Sequence, residues 1–236
     1  MADWSSNRVL PKPFHGLIEL AKRKGWRDLR HTERDGVFLS ERTVFRDTAT
    51  GCIAWRLTCD PSVNETDYYD IPGWNSDGSL IGFLRGGTKA SSERWLMDAN
   101  GNNLRPLPTS DGKAISTGFW SLHYPDRFYH ALVDGGRTQI VSTNPLTGER
   151  DIIVSADRYL GQMLPPHPSE KEFLFGIRTG KPRPGKASEP SAAYVIALDG
   201  TIKEIGFEKR WHRLRFTKSV DSRIFFNFAN VFSVFR

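Results

Sequence analysis

Arg94-Trp95-Leu96-Met97-Asp98, turning at Asn100-Gly101, is an alternating stretch that ends in a tight turn with glycine at its tip. Alternation with period 2 is the mark of a β-strand, and a glycine in the turn supplies the positive φ that a short hairpin needs. The same layout occurs three more times: Thr43-Val44-Phe45-Arg46-Asp47 turning at Thr50-Gly51, Thr138-Gln139-Ile140-Val141 turning at Thr147-Gly148, and Tyr194-Val195-Ile196-Ala197-Leu198 turning at Asp199-Gly200. The turn glycines 51, 101, 148 and 200 are spaced by 50, 47 and 52 residues.

A second series runs between the first. Pro72-Gly73-Trp74-Asn75-Ser76-Asp77-Gly78 leads into Ser79 to Arg85, Tyr124-Pro125-Asp126 into Arg127 to Val133, His167-Pro168-Ser169-Glu170 into Lys171 to Ile177, and Lys218-Ser219-Val220-Asp221 into Arg223 to Phe228. With Asp77, Asp126, Glu170 and Asp221 as anchors the steps are 49, 44 and 51. Two series share one period, so each unit holds about four short strands. The expected fold is all-β, a β-propeller of four-stranded antiparallel blades, in which each sheet buries both faces against its neighbours. The fifteen Phe and seven Trp read first as blade packing.

Residues 1–40 fall outside the repeat and read as an N-terminal arm or outer cover, with residues 41–236 as the blades. The one helix-like stretch is Gly16 to Asp28. Thr179 to Pro190, rich in Pro and Gly, lengthens the fourth unit by a loop.

Composition narrows the function. The chain has 236 residues, is 38% hydrophobic and 25% charged, and has no apolar run near the roughly 18 residues of a spanning helix. The N-terminus lacks the order of a signal peptide, so a cytoplasmic protein with no membrane partner is expected. Cys52 and Cys59 are too few for a disulfide framework and read as a buried, reduced pair. The net charge of +6 favours acidic partners. Its dispersion, with clusters only at Lys22 to Lys24 and Lys181 to Lys186, argues against nucleic acid. There is no G-x-S-x-G, no H-E-x-x-H, no phosphate-binding glycine loop and no acidic calcium loop.

The stretch Ser40-Glu41-Arg42-Thr43-Val44-Phe45-Arg46-Asp47-Thr48-Ala49-Thr50-Gly51, then Trp55-Arg56-Leu57-Thr58 and Asp67-Tyr68-Tyr69-Asp70 before the Trp74 to Gly78 turn, resembles the opening blades of the oligogalacturonate lyase family. That family is similar to the bacterial propellers with P-x-W-S-x-D-G repeats, TolB-like propellers among them. The resemblance is best over residues 36–110. It implies a seven-bladed propeller that cleaves short pectic oligosaccharides by β-elimination, with a divalent metal, manganese (Mn²⁺), in the central pocket. Such chemistry needs a cation to neutralise the uronate carboxylate and acidify the adjacent C–H, and a base to take that proton.

In the family the metal is held partly by a Q-x-x-H-x-[QH] arrangement, and Gln162, Pro165 and His167 occupy that spacing here. Gln162 and His167 are the implied metal ligands; proline offers no donor at the middle position. A histidine before a blade turn also fits a plain hydrogen-bonding role. In Trp211-His212-Arg213-Leu214-Arg215-Phe216, at the last inner strand, His212 is the candidate base. Alternation places Arg213 and Arg215 on one face. They form a candidate clamp for the carboxylate of an oligogalacturonate, since guanidinium binds carboxylate bidentately, and an inter-blade salt bridge fits them equally. His123 and His130 flank the Asp126 turn without a geometry that marks either as base. The missing donor at Pro165 favours a rival reading, a non-catalytic propeller serving as a protein- or glycan-binding platform.

Seven blades of about 48 residues would need roughly 336, more than the chain holds. Four hairpins and four inner strand pairs lie between Thr43 and Arg236. They make either a small ring of four blades or a fragment of a seven-bladed propeller. The apolar, strand-like end from Ile224 to Arg236 favours the fragment.

Overall fold

The computed structural model describes residues 33–34, 37–58, 63–67, 71–86, 93–108, 115, 117–177, 191–207, 213–216, 224–228 and 231–235. All regular structure among them is β. Strands β1 (Glu33–Arg34) and β2 (Val37–Ser40) precede a hairpin of β3 (Thr43–Arg46) and β4 (Ile53–Arg56). Blade I is β5 (Val63–Glu65), β6 (Leu80–Gly86), β7 (Glu93–Asp98) and β8 (Asn102–Pro106). Blade II is β9 (Phe119–Trp120), β10 (Phe128–Asp134), β11 (Arg137–Thr143) and β12 (Arg150–Ala156). Blade III is β13 (Gln162–Met163), β14 (Glu172–Ile177), β15 (Ser191–Ala197) and β16 (Ile202–Phe207). Blade IV contributes β17 (Arg213–Phe216), β18 (Ile224–Phe228) and β19 (Val231–Phe235). Each blade is an antiparallel meander in sequence order.

Both series of the repeat are realised. The four outer hairpins turn at Gly51, Gly101, Gly148 and Gly200, whose φ values of 73°, 81°, 76° and 86° lie in the left-handed region open to glycine. Asp47 and Asp199 cap two of these turns: hydrogen bonds from Thr50 and Ala49, and from Thr201, hold their carboxyls below the ordinary value. In blades I to III the second series gives the turn between the first two strands, called here the A–B turn; its fourth stretch, Lys218 to Asp221, lies outside the described residues.

The propeller logic is visible in single strands. In β14, Phe173 and Phe175 pack into the core between blades II and III, and Leu174 packs with Phe216 between blades III and IV. In β15, Tyr194 and Ile196 face blade II, whereas Ala193 and Val195 face blade IV. Trp120 and Phe128 join Leu80 and Leu96 between blades I and II, while Phe119 and Tyr129 face blade III. Strands with both faces buried read as nearly continuous apolar runs, and no blade could hide such surface alone.

Residues 1–32 lie outside the described residues, as do the stretch 16–28 and the loop 179–190. Within the rest of the expected arm, β2 pairs with β8 and β1 with β2, so these strands widen the outer edge of blade I. The residues that carry the lyase resemblance fasten the first hairpin there. Ser40 Oγ donates to the Gly101 carbonyl (2.9 Å) and Arg42 to that of Asn100 (2.6 Å). Arg42 also lies over the Trp55 ring at 4.7 Å, and buried Glu41 pairs with buried Arg85 at 2.7 Å. Cys52 is exposed, contrary to the expected buried pair, because the first hairpin is covered on one face only; Cys59 lies outside the described residues.

Candidate functional site

A recurring set of buried polar side chains lies at the A–B turns of blades I to III. In blade I, Asn75 N–H donates to the Leu80 carbonyl and Gly78 N–H to that of Asn75, closing a tight turn. Blade III repeats the pattern: His167 N–H donates to Glu172 O and Glu170 N–H to His167 O. In blade II, Ser121 N–H donates to Arg127 O across a turn one residue longer. Asn75, Ser121 and His167 therefore hold one structural position. This register shifts the sequence alignment by one residue, since Glu170 matches Gly78 rather than Asp77. Glu170 shares the left-handed backbone of Gly78, at φ 55° against 73°.

The side chains at this position are buried, at 1%, 1% and 2% exposure, and each caps its own turn. Asn75 Oδ1 accepts from Leu80 N–H (2.9 Å), and Ser121 Oγ accepts from the N–H groups of His123 and Tyr124 (3.1 and 2.9 Å). His167 Nδ1 accepts from Ser169 N–H at 3.1 Å and lies 2.7 Å from Ser169 Oγ. Buried polar atoms need such partners, because an unmade bond in the interior costs about 1–3 kcal/mol.

Between blades II and III the cluster is densest. The Ser121 hydroxyl reaches both oxygens of the buried Glu170 carboxylate at 2.8 Å, Leu122 N–H donates to Oε1, and Tyr129 O–H donates to Oε2 at 2.9 Å. Burial, followed by donation to Glu170, pushes the Tyr129 phenol up to about 12. Arg127 is raised in turn, chiefly by its hydrogen bond to Tyr129. His123 Nε2 donates to the Pro168 carbonyl at 2.6 Å. The carboxylate is enclosed by its donors, so it acts as a clasp between blades rather than as a base open to a substrate. The sequence showed Glu170 only as a repeat anchor and did not mark Ser121 or Tyr129; the signal was the shared turn position.

Of the residues expected from the sequence, Gln162 and His167 fall among the described residues, side chains included. Gln162 is exposed on β13, opposite Gly176. The ladder has Leu164 opposite Leu174 but His167 opposite Glu172, so one extra residue is absorbed at Pro165–Pro166. A bulge suits proline, which has no N–H to lose. His130 is buried with Nε2 2.8 Å from Thr143 Oγ1. His212 lies outside the described residues, and so do the side chains of Arg213 and Arg215. The β17 backbone sets both arginines on one face, paired with Asn227 and Phe225, opposite the face of buried Phe216.

A manganese ion at Gln162 and His167 needs lone pairs aimed at one point. Ser169 N–H occupies the lone pair of His167 Nδ1, so the neutral ring carries its proton on Nε2 and has no second lone pair to give. Pro165 supplies none. Among the described residues no group of three or more His, Cys, Asp or Glu side chains could hold a metal ion. The residues present do not fit the ion.

Fold and site together define an all-β chain of propeller blades stacked in sequence order, with blades I to III clasped at their A–B turns. No family model and no curated protein matches its sequence. Among solved structures it is similar to the oligogalacturonate lyase of Vibrio parahaemolyticus (14% identity, TM-score 0.60) and to an oligogalacturonate lyase in complex with manganese (15%, 0.60). In each case the match covers 80% of this chain and 53% of the other, so the chain spans about half the length of these structures. TolB from Acinetobacter baumannii is more distant (15% identity, TM-score 0.46, 82% of this chain and 48% of that one). At such identities the likeness establishes the propeller fold.

Proposed function

We propose that this chain recognises acidic oligosaccharides, with uronate oligomers as the ligand class, and that Arg213 and Arg215 clamp the sugar carboxylate. One observation carries the reading. The register of β17 sets both arginines on the face opposite Phe216, which is the side buried against blade III. A single guanidinium binds a carboxylate bidentately, and arginines at i and i+2 supply two such groups from one face of the strand. The likeness to two oligogalacturonate lyases supports the ligand class, and the net charge of +6 agrees with it. A cytoplasmic location goes with this proposal.

Turnover by β-elimination is the second reading, favoured by those same lyases. His212, next to the clamp in sequence, is then the proposed base for the proton beside the carboxylate. The test uses the full chain and calorimetric titration with trigalacturonate, with maltotriose as the neutral control. We expect binding of the acidic sugar only, weakened at least tenfold in the double variant Arg213→Ala, Arg215→Ala. Equal affinity for both sugars, or no binding by folded protein, refutes the proposal. Incubation with unsaturated digalacturonate and Mn²⁺ decides the second reading: a new keto-sugar product supports it, and none from a chain that binds the sugar removes it.

A further inference from the structure

We infer that Asn75, Ser121 and His167 are three copies of one inter-blade device. In that device the residue that opens each A–B turn caps its own turn and donates a hydrogen bond into the next blade, which makes His167 a donor to blade IV and not a metal ligand. The first two copies are complete. Asn75 accepts from Leu80 N–H through Oδ1 and donates through Nδ2 to the Pro125 carbonyl of blade II at 3.0 Å. Ser121 accepts from two backbone N–H groups of its turn and donates to Glu170 of blade III.

His167 has the first half of the device in place, with Nδ1 accepting from Ser169 N–H. Its Nε2 is buried and, among the described residues, has no hydrogen-bond partner. Blade IV already lies against the ring: Phe216 meets it edge to face, with centroids 4.9 Å apart and planes at 89°. The tautomer then decides the chemistry. A ring whose Nδ1 accepts presents N–H at Nε2, which can donate to an acceptor of blade IV but offers no lone pair to a cation. Asparagine at this position in blade I shows that an amide, which also combines an acceptor with a donor, can serve there.

The experiment compares the melting temperatures of the full chain, His167→Asn and His167→Ala, each with and without 1 mM Mn²⁺. His167→Asn is expected within about 2 °C of the parent, His167→Ala to melt roughly 5 °C lower, and Mn²⁺ to shift none of them. In the parent, long-range ¹H–¹⁵N correlation on labelled histidine should show His167 protonated at Nε2 and bare at Nδ1. A melting temperature raised by Mn²⁺ in the parent and not in His167→Asn overturns the inference, as does an asparagine variant no better than alanine. A proton found on Nδ1 also overturns it, even if neither variant folds.

Discussion

Glu170→Ala tests whether blades II and III are held by a buried carboxylate. The substitution leaves the backbone question untouched, since alanine and glutamate are disfavoured alike at φ 55°. It removes the acceptor of three donors. Tyr129 is 3% exposed, and its hydroxyl would keep the Arg127 hydrogen bond but lose the acceptor of its own proton, at a cost of about 2 kcal/mol. The Ser121 hydroxyl keeps its two backbone donors but loses its own acceptor, for about 1 kcal/mol. Leu122 N–H is only part-buried and water can replace its partner, so it adds about 0.5 kcal/mol. The expected loss is about 3–4 kcal/mol, or roughly 10 °C in melting temperature for a chain of this size. Urea denaturation followed by tryptophan fluorescence should show a lower midpoint at unchanged slope. Glu170→Gln, which keeps one acceptor oxygen, should lose about half as much. In a double-mutant cycle with Tyr129→Phe the coupling should exceed about 1 kcal/mol. A loss below about 1 kcal/mol for Glu170→Ala, or additive single variants, would refute the clasp.

Two further outcomes follow from the same geometry. The Tyr129 phenol titrates at about 12 in the folded chain against 10.0 for the ordinary group, so folding favours its protonated form. That contribution is complete below pH 10 and is lost as pH rises through 12; Tyr129→Phe should flatten the fall in urea midpoint over that window. Gly161→Ala should lower the melting temperature by at least about 4 °C, because φ is +92° there and an added Cβ would sit 2.5 Å from the Gly176 carbonyl oxygen. Near-parental melting of that variant would contradict the tight approach of β13 to β14.

The repeat was legible because its causes are local. A hairpin turn needs positive φ, so glycine recurs at 51, 101, 148 and 200, and strands buried on both faces need apolar residues at successive positions, as in Phe173 to Phe175. The site was less legible. Sequence spacing joined Gln162 and His167, but the extra residue at Pro165–Pro166 and the turn that follows leave one exposed and the other buried. Ser121 and Tyr129 escaped notice because their acceptor, Glu170, lies 49 and 41 residues away. The Ser40 to Gly51 motif was read as a family signature, and in the structure its residues fasten the first hairpin onto blade I.

By itself the sequence determined the class of fold, the strand content of each unit and the place of every outer turn, since these depend on backbone conformation and on the period of burial. Tertiary structure alone decided what the turn residues do. The role of Asn75, Ser121 or His167 depends on which blade stands next to it, and the direction of a hydrogen bond across that boundary is set by burial and by the lone pairs already taken. For His167 a backbone N–H two residues away takes the Nδ1 lone pair. That single bond turns a histidine with the spacing of a metal ligand into a donor facing the next blade.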